Sequence, residues 1–244
     1  MVKKEYPRIG ESLYHGELVN SLHVYVDVKP EFSKIYAFFA TNYGGMDMRF
    51  QLNGEWHDTP AGVAHFLEHK MFDTKDGNAL QDLAANGASP NAFTSSAITG
   101  YYFESTEKFE ENLKILLSFV SEPWFTPESV DKEQGIIGQE IRMIEDDPEN
   151  QVFYGMMETL YVHNPIKVSI AGTVESISHI TADTLYACHA AFYNPGNMVL
   201  CVAGNVDPER ICEIAREILP REGIADIPRA VSYTHLTLPT RSAV

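Results

Sequence analysis

The chain has 244 residues, 44% of them hydrophobic, enough to bury one sizeable core in a single domain. Eighteen Lys and Arg against 34 Asp and Glu give a formal net charge of −16, which argues against non-specific nucleic-acid binding, because that binding needs cations to neutralise phosphates. Three Cys, at 188, 201 and 212, show neither a paired metal spacing nor a disulfide framework, and no stretch approaches membrane-spanning length.

Lys3 and Lys4 have no apolar run behind them of the kind a secretion signal carries, so a cytoplasmic protein with no membrane partner is expected. Leu22, Val24, Val26 and Val28 alternate with His23, Tyr25 and Asp27, which predicts a half-buried strand. Lys34 to Thr41 is apolar on both faces and reads as a central strand. Thr59 to Phe72 then reads as a short amphipathic helix, with Thr59 as N-cap and Pro60 at the first helical position.

That helix carries His65-Phe66-Leu67-Glu68-His69. Residues three and four apart share a helix face, so His65, Glu68 and His69 project together while Val63, Phe66 and Leu67 supply a packing surface. Zinc accepts imidazole nitrogens at about 2.0–2.1 Å, and a catalytic site uses three protein ligands with one position left open. The pentad supplies two of the three.

Helices are expected next at Asn78 to Ala85 and at Glu107 to Ser121, the latter with a core stripe of Phe109, Leu113, Leu116, Leu117 and Val120. Between them, Pro90 within the strand-like Gly87-Ala88-Ser89-Pro90-Asn91-Ala92-Phe93-Thr94-Ser95 predicts a sheet edge, where a missing N–H is harmless. Thr126 to Asp147 reads as a helix whose stripe is Val130, Glu133, Ile136, Ile137, Glu140, Ile141 and Ile144. Two carboxylates thus interrupt an apolar face. Burying them is costly unless something positive holds them, and a metal ion is the strongest local candidate, which makes Glu140 the expected third ligand.

Thr181 to Phe192 and Pro208 to Leu219 read as further helices, the second capped by Asp207, and Met198 to Ala203 as another central strand. His189 is expected as a packing residue and His163, before Asn164-Pro165, as a loop residue. The order predicts an α+β fold with helices packed on one face of a mostly antiparallel sheet. Ser232 to Val244 lacks periodicity and resembles translated adapter sequence, so the expected domain is 1–231 with 232–244 as a non-native tail.

The pentad, the segment Glu133-Gln134-Gly135-Ile136-Ile137-Gly138-Gln139-Glu140 and the run from Gly87 to Ser95 followed by Tyr101-Tyr102-Phe103 together resemble the pitrilysin/insulinase family of zinc peptidases, the inverzincins, closest to its bacterial YmfH-like branch. The resemblance runs from about Tyr14 to Asn205 and implies the fold of a mitochondrial-processing-peptidase-like metallohydrolase domain. It implies one Zn2+ per chain held by His65, His69 and Glu140, with Glu133 as a carboxylate behind the ligands and Glu68 as the general base of peptide-bond hydrolysis. It also implies a peptide substrate added as a strand along Asn91, Ala92 and Phe93, and a second family domain or subunit, absent from this chain, that closes a chamber. Some members of that branch are associated with elongation factor P modification.

Two other classes of function stay open. One is a non-catalytic or partner-dependent subunit of a two-part peptidase-like complex, and the other a structural-zinc domain, although structural sites are normally closed by four protein ligands. For the strand, the alternative is an ordinary strand capped by a turn.

Overall fold

A computed structural model describes residues 1–222 and 227–230, and the expectation for Ser232 to Val244 lies outside the described residues. The chain opens with β1 (Val2–Tyr6), β2 (Glu11–Glu17), β3 (His23–Val28) and β4 (Ile35–Thr41), then a small hairpin of β5 (Arg49–Leu52) and β6 (Glu55–Asp58). Helix α1 (Val63–Lys70) follows, then the short pair β7 (Asp73–Thr74) and β8 (Gly77–Asn78), α2 (Ala79–Ala85), β9 (Ser89–Thr94) and β10 (Thr99–Ser105). Helices α3 (Phe109–Ser121), α4 (Pro127–Glu145), α5 (Pro148–Leu160), α6 (Val174–Ile177) and α7 (Ala182–Phe192) lead to β11 (Met198–Gly204) and α8 (Pro208–Ile218).

Seven strands form one sheet in the order β1-β2-β3-β11-β4-β10-β9, and every pairing is antiparallel except β11 with β3. The expected α+β architecture is therefore the observed one. Alternation puts Val24, Val26, Ala37, Phe39, Tyr101, Phe103, Leu200 and Val202 on one face, all buried in a single core with Leu113, Leu116, Leu117, Leu185 and Ile214 of the helices. β4 and β11 are central as expected, but they are not buried on both sides. Their outer residues, Tyr36, Phe38, Val199 and Cys201, stay partly accessible because the helices cover one face only. Aromatic pairs across strands, Tyr36 with Tyr102 and Phe38 with Phe93, shield part of that outer surface.

α4 begins as expected at a Thr126 cap, with Pro127 at its first position and Ser129 completing a reciprocal cap. Its buried stripe is Val130, Ile137 and Ile141; Ile136, expected among them, lies 47% exposed. α5 was not legible in the sequence, since it buries none of its residues and starts at the proline that suggests an end. Among the described residues no helix is long and apolar enough to cross a membrane.

His189 is buried on α7, places Nε2 3.0 Å from the Val120 carbonyl and stacks on Tyr193. Burial pushes its pKa down to about 4, against the smaller upward effect of the carbonyl bond. An unfolded histidine titrates near pH 6.5, so between the two values the unfolded chain binds the extra proton. The stabilising effect is full above about pH 6.5 and is lost as pH falls toward 4, a change of about 3 kcal/mol. Chemical denaturation at pH 7 and 4.5 should therefore show a smaller acid loss in His189→Gln than in the unchanged chain; equal losses would contradict it.

Candidate active site

The helix that presents the pentad starts later than expected. Thr59 does not cap it; its hydroxyl and its N–H both donate to the Met48 carbonyl. α1 begins at Val63 behind Gly62, whose φ of 92° is a left-handed conformation that favours glycine. A Cβ on Gly62 would stand 2.5 Å from the Ala171 carbonyl oxygen, so this start is fixed by a close backbone approach from a distant segment. The remaining turns behave as the spacing predicts. Phe66 and Leu67 are wholly buried, and His65, Glu68 and His69 share the opposite face against α4 and β9.

α4 brings Glu140 to that face. Its Oε1 lies 3.5 Å from His65 Nε2 and its Oε2 3.6 Å from His69 Nε2, and one ligand atom from each of the three residues falls within 4.8 Å of the others. These gaps are long for hydrogen bonds. Each gap, one to either carboxylate oxygen, is comparable to the edge of about 3.4 Å of a tetrahedron whose donors stand about 2.0–2.1 Å from its centre. Two imidazole nitrogens and a carboxylate oxygen are also a donor set that zinc accepts.

The surroundings fit the same purpose. His69 Nδ1 lies 3.1 Å from Glu133 Oε1, so the ring is oriented by a carboxylate and Nε2 is left toward Glu140. Burial works against a charged His69, but the Glu133 contact and the charges of Glu68, Glu140 and Glu133 outweigh it and raise the imidazole above its ordinary value. Glu140 is held below the usual carboxylate value by the His65 imidazole beside it, against a partial burial that acts the other way. His65 Nδ1 is buried with no hydrogen-bond partner among the described residues.

Glu68 is 7% exposed, and its Oε2 accepts a hydrogen bond of 2.9 Å from the Thr94 hydroxyl. Sequence reasoning passed over Thr94 as the tail of a motif. It also passed over Lys70, which is 2% exposed, pairs with Asp73 and stands 4.0 Å from Glu133 Oε2. The signal for Lys70 was a cation directly after the pentad on a buried helix; nothing local marked Thr94.

β9 is a sheet edge, paired with β10 alone among the described strands. Asn91 and Phe93 are exposed on it and Ala92 is half-buried. Pro90 sits within the strand, where an edge tolerates it.

An α+β domain whose H-x-x-E-H helix faces a glutamate from a second helix has the build of a peptidase with the inverted zinc motif. Residues 53–174 match insulinase, peptidase family M16, and residues 179–230 match the peptidase M16 inactive domain. The chain belongs to the M16 (insulinase) family. It is 49% identical over 226 residues to YmfH of Bacillus subtilis, described as an uncharacterized zinc protease, covering 92% of this chain and 53% of that protein. The crystal structure of an M16-like peptidase from Alicyclobacillus acidocaldarius superposes with a TM-score of 0.86 at 37% identity, covering 94% of this chain and 54% of that one. The first half of the periplasmic protease PqqL from Escherichia coli shares the fold, with a TM-score of 0.74 at 22% identity over 91% of this chain and 48% of that one. The chain thus spans about half the length of these relatives.

Proposed function

We propose that the chain is the metal-bearing domain, residues 1–231, of a zinc-dependent metalloendopeptidase that hydrolyses peptide bonds in extended peptides. The observation that carries the reading is the convergence of one ligand atom each from His65, His69 and Glu140 within 4.8 Å of one another, with Glu68 beside them on the same helix face. The relatives' description as zinc proteases supports the choice of metal and of reaction.

His65, His69 and Glu140 would hold the zinc, and Glu133 would keep His69 in the tautomer that offers Nε2. Zinc, when bound, supplies Lewis-acid polarisation of the scissile carbonyl and makes water easier to deprotonate. Glu68 takes a proton from the attacking water and passes it to the leaving amine nitrogen, so one carboxylate serves both proton transfers. The outer edge of β9 would take an extended backbone along Asn91, Ala92 and Phe93, with the Ala92 N–H exchanging the Asn91 Oδ1, to which it donates at 2.8 Å, for a peptide carbonyl. That docking would hold the peptide beside the ligands, and orientation of this kind is a large part of enzymatic rate.

The chain's length relative to its relatives, and the match of residues 179–230 to a domain described as inactive, favour a second domain or subunit that closes the site and excludes water. Hydrolysis of a mixed library of extended peptides, followed before chelation, after it and after zinc return, tests the reading. Cleavage that stops and returns is expected. Cleavage indifferent to chelation would overturn it.

A further inference from the structure

Glu68 can act as a base only if its carboxylate is aimed, and a glutamate has three side-chain torsions with which to turn away. We infer that Thr94 is the positioning residue for Glu68: its hydroxyl clamps Oε2 and leaves Oε1 as the oxygen that exchanges protons. The inference rests on the reading of Glu68 as the base.

The geometry fixes the direction of the bond. Thr94 and Thr99 face each other across the β9–β10 pair, and the Thr99 hydroxyl donates to the Tyr43 carbonyl at 2.9 Å. The two threonine hydroxyls stand 3.4 Å apart, and with the one Thr99 proton directed to the nearer Tyr43 carbonyl, the single Thr94 proton goes to Glu68 at 2.9 Å. An ionised carboxylate only accepts, so the roles cannot be exchanged. A bond to a charged acceptor is also among the stronger side-chain bonds.

Both ends are stiff. Thr94 is β-branched, with few χ1 choices on a strand, and Thr99 is wholly buried behind it. Glu68 lies on a helix held by Phe66 and Leu67 in the core. Beyond Thr99 the polar path continues to the buried pair of Tyr193 and Tyr101, whose hydroxyls are 2.9 Å apart, so the clamp is backed by protein. Thr94 is also the last residue of β9, which ties the aim of the base to the strand on which a peptide would dock. Substrate alignment and base alignment then share one rigid element.

The test uses the zinc-loaded chain and two substitutions, Thr94→Val, which keeps the shape and removes the hydroxyl, and Thr94→Ser, which keeps the hydroxyl. The carboxylate-carbon NMR resonance of Glu68, identified by its loss in Glu68→Gln, should move in Thr94→Val and stay in place in Thr94→Ser. Zinc content should be unchanged in both. On a model peptide kcat should fall about 10- to 100-fold in Thr94→Val with KM nearly constant, and Thr94→Ser should restore it. An unmoved resonance, or a kcat for Thr94→Val equal to that of the unchanged chain while Glu68→Gln is inactive, would overturn the positioning role. An active Glu68→Gln would instead overturn the reading of the base.

Discussion

Glu68→Gln is expected to keep its zinc and to lose hydrolysis by a factor of about 10² to 10⁴ or more, the range over which a positioned general base contributes. The substitution conserves volume and can still accept from the Thr94 hydroxyl through its amide oxygen, so the local packing of this 7%-exposed residue should survive. It removes the one property the mechanism needs, a carboxylate that can take up and return a proton. Because Glu68 does not belong to the cluster of His65, His69 and Glu140, metal content should be unaffected. Zinc analysis and hydrolysis measured on the same preparation check both halves. A Glu68→Gln protein that cleaves at the rate of the unchanged chain would sink the assignment, and one that has lost its zinc would make Glu68 a ligand.

Glu140→Ala should produce the opposite pattern, with zinc affinity reduced more than about 100-fold and hydrolysis lost as a consequence. Carboxylates that only orient a ligand are typically worth 10- to 100-fold in metal affinity, and a direct ligand should exceed that. The site would keep two imidazoles, fewer than the three protein ligands of catalytic zinc sites. The protein itself should tolerate the change, because Glu140 is partly exposed and the buried stripe of α4 runs through Val130, Ile137 and Ile141 instead. Competition with a chromogenic chelator gives the affinity directly. Full zinc loading at unchanged affinity in Glu140→Ala would refute the third ligand.

What was legible in the sequence was whatever a single element fixes. The pentad's spacing put His65, Glu68 and His69 on one face whatever the helix packed against, and the carboxylates at 133 and 140 stood out because they broke an apolar stripe. Pro90 marked an edge for a reason local to its own backbone. What depended on the approach of distant segments was not legible. The start of α1 is set by Gly62 against the Ala171 carbonyl, more than a hundred residues away, and Thr59-Pro60 mimicked a cap that the fold does not use. The bond from Thr94 to Glu68 spans 26 residues and a strand-to-helix contact that neither segment announces.

Other omissions had different causes. The β5–β6 hairpin carried its signal openly in Asn53-Gly54, both at positive φ, between two short strands. α5 gave none, since a helix with no buried residue writes no periodicity into its sequence. The outer face of β4 and β11 was misread because apolar composition reports that a side chain avoids water, not which partner covers it. There, aromatic side chains shield one another in place of a second helical layer.

The central claim is that His65, His69 and Glu140 form one zinc centre, and X-ray absorption at the zinc edge on the reconstituted chain, with the metal counted in the same sample, tests it most directly. One zinc per chain is predicted, with only nitrogen and oxygen donors at about 2.0–2.2 Å and scattering from two imidazole rings. A chain that takes up no zinc, or a zinc carrying sulfur at about 2.3 Å from one of the three cysteines, would contradict the account.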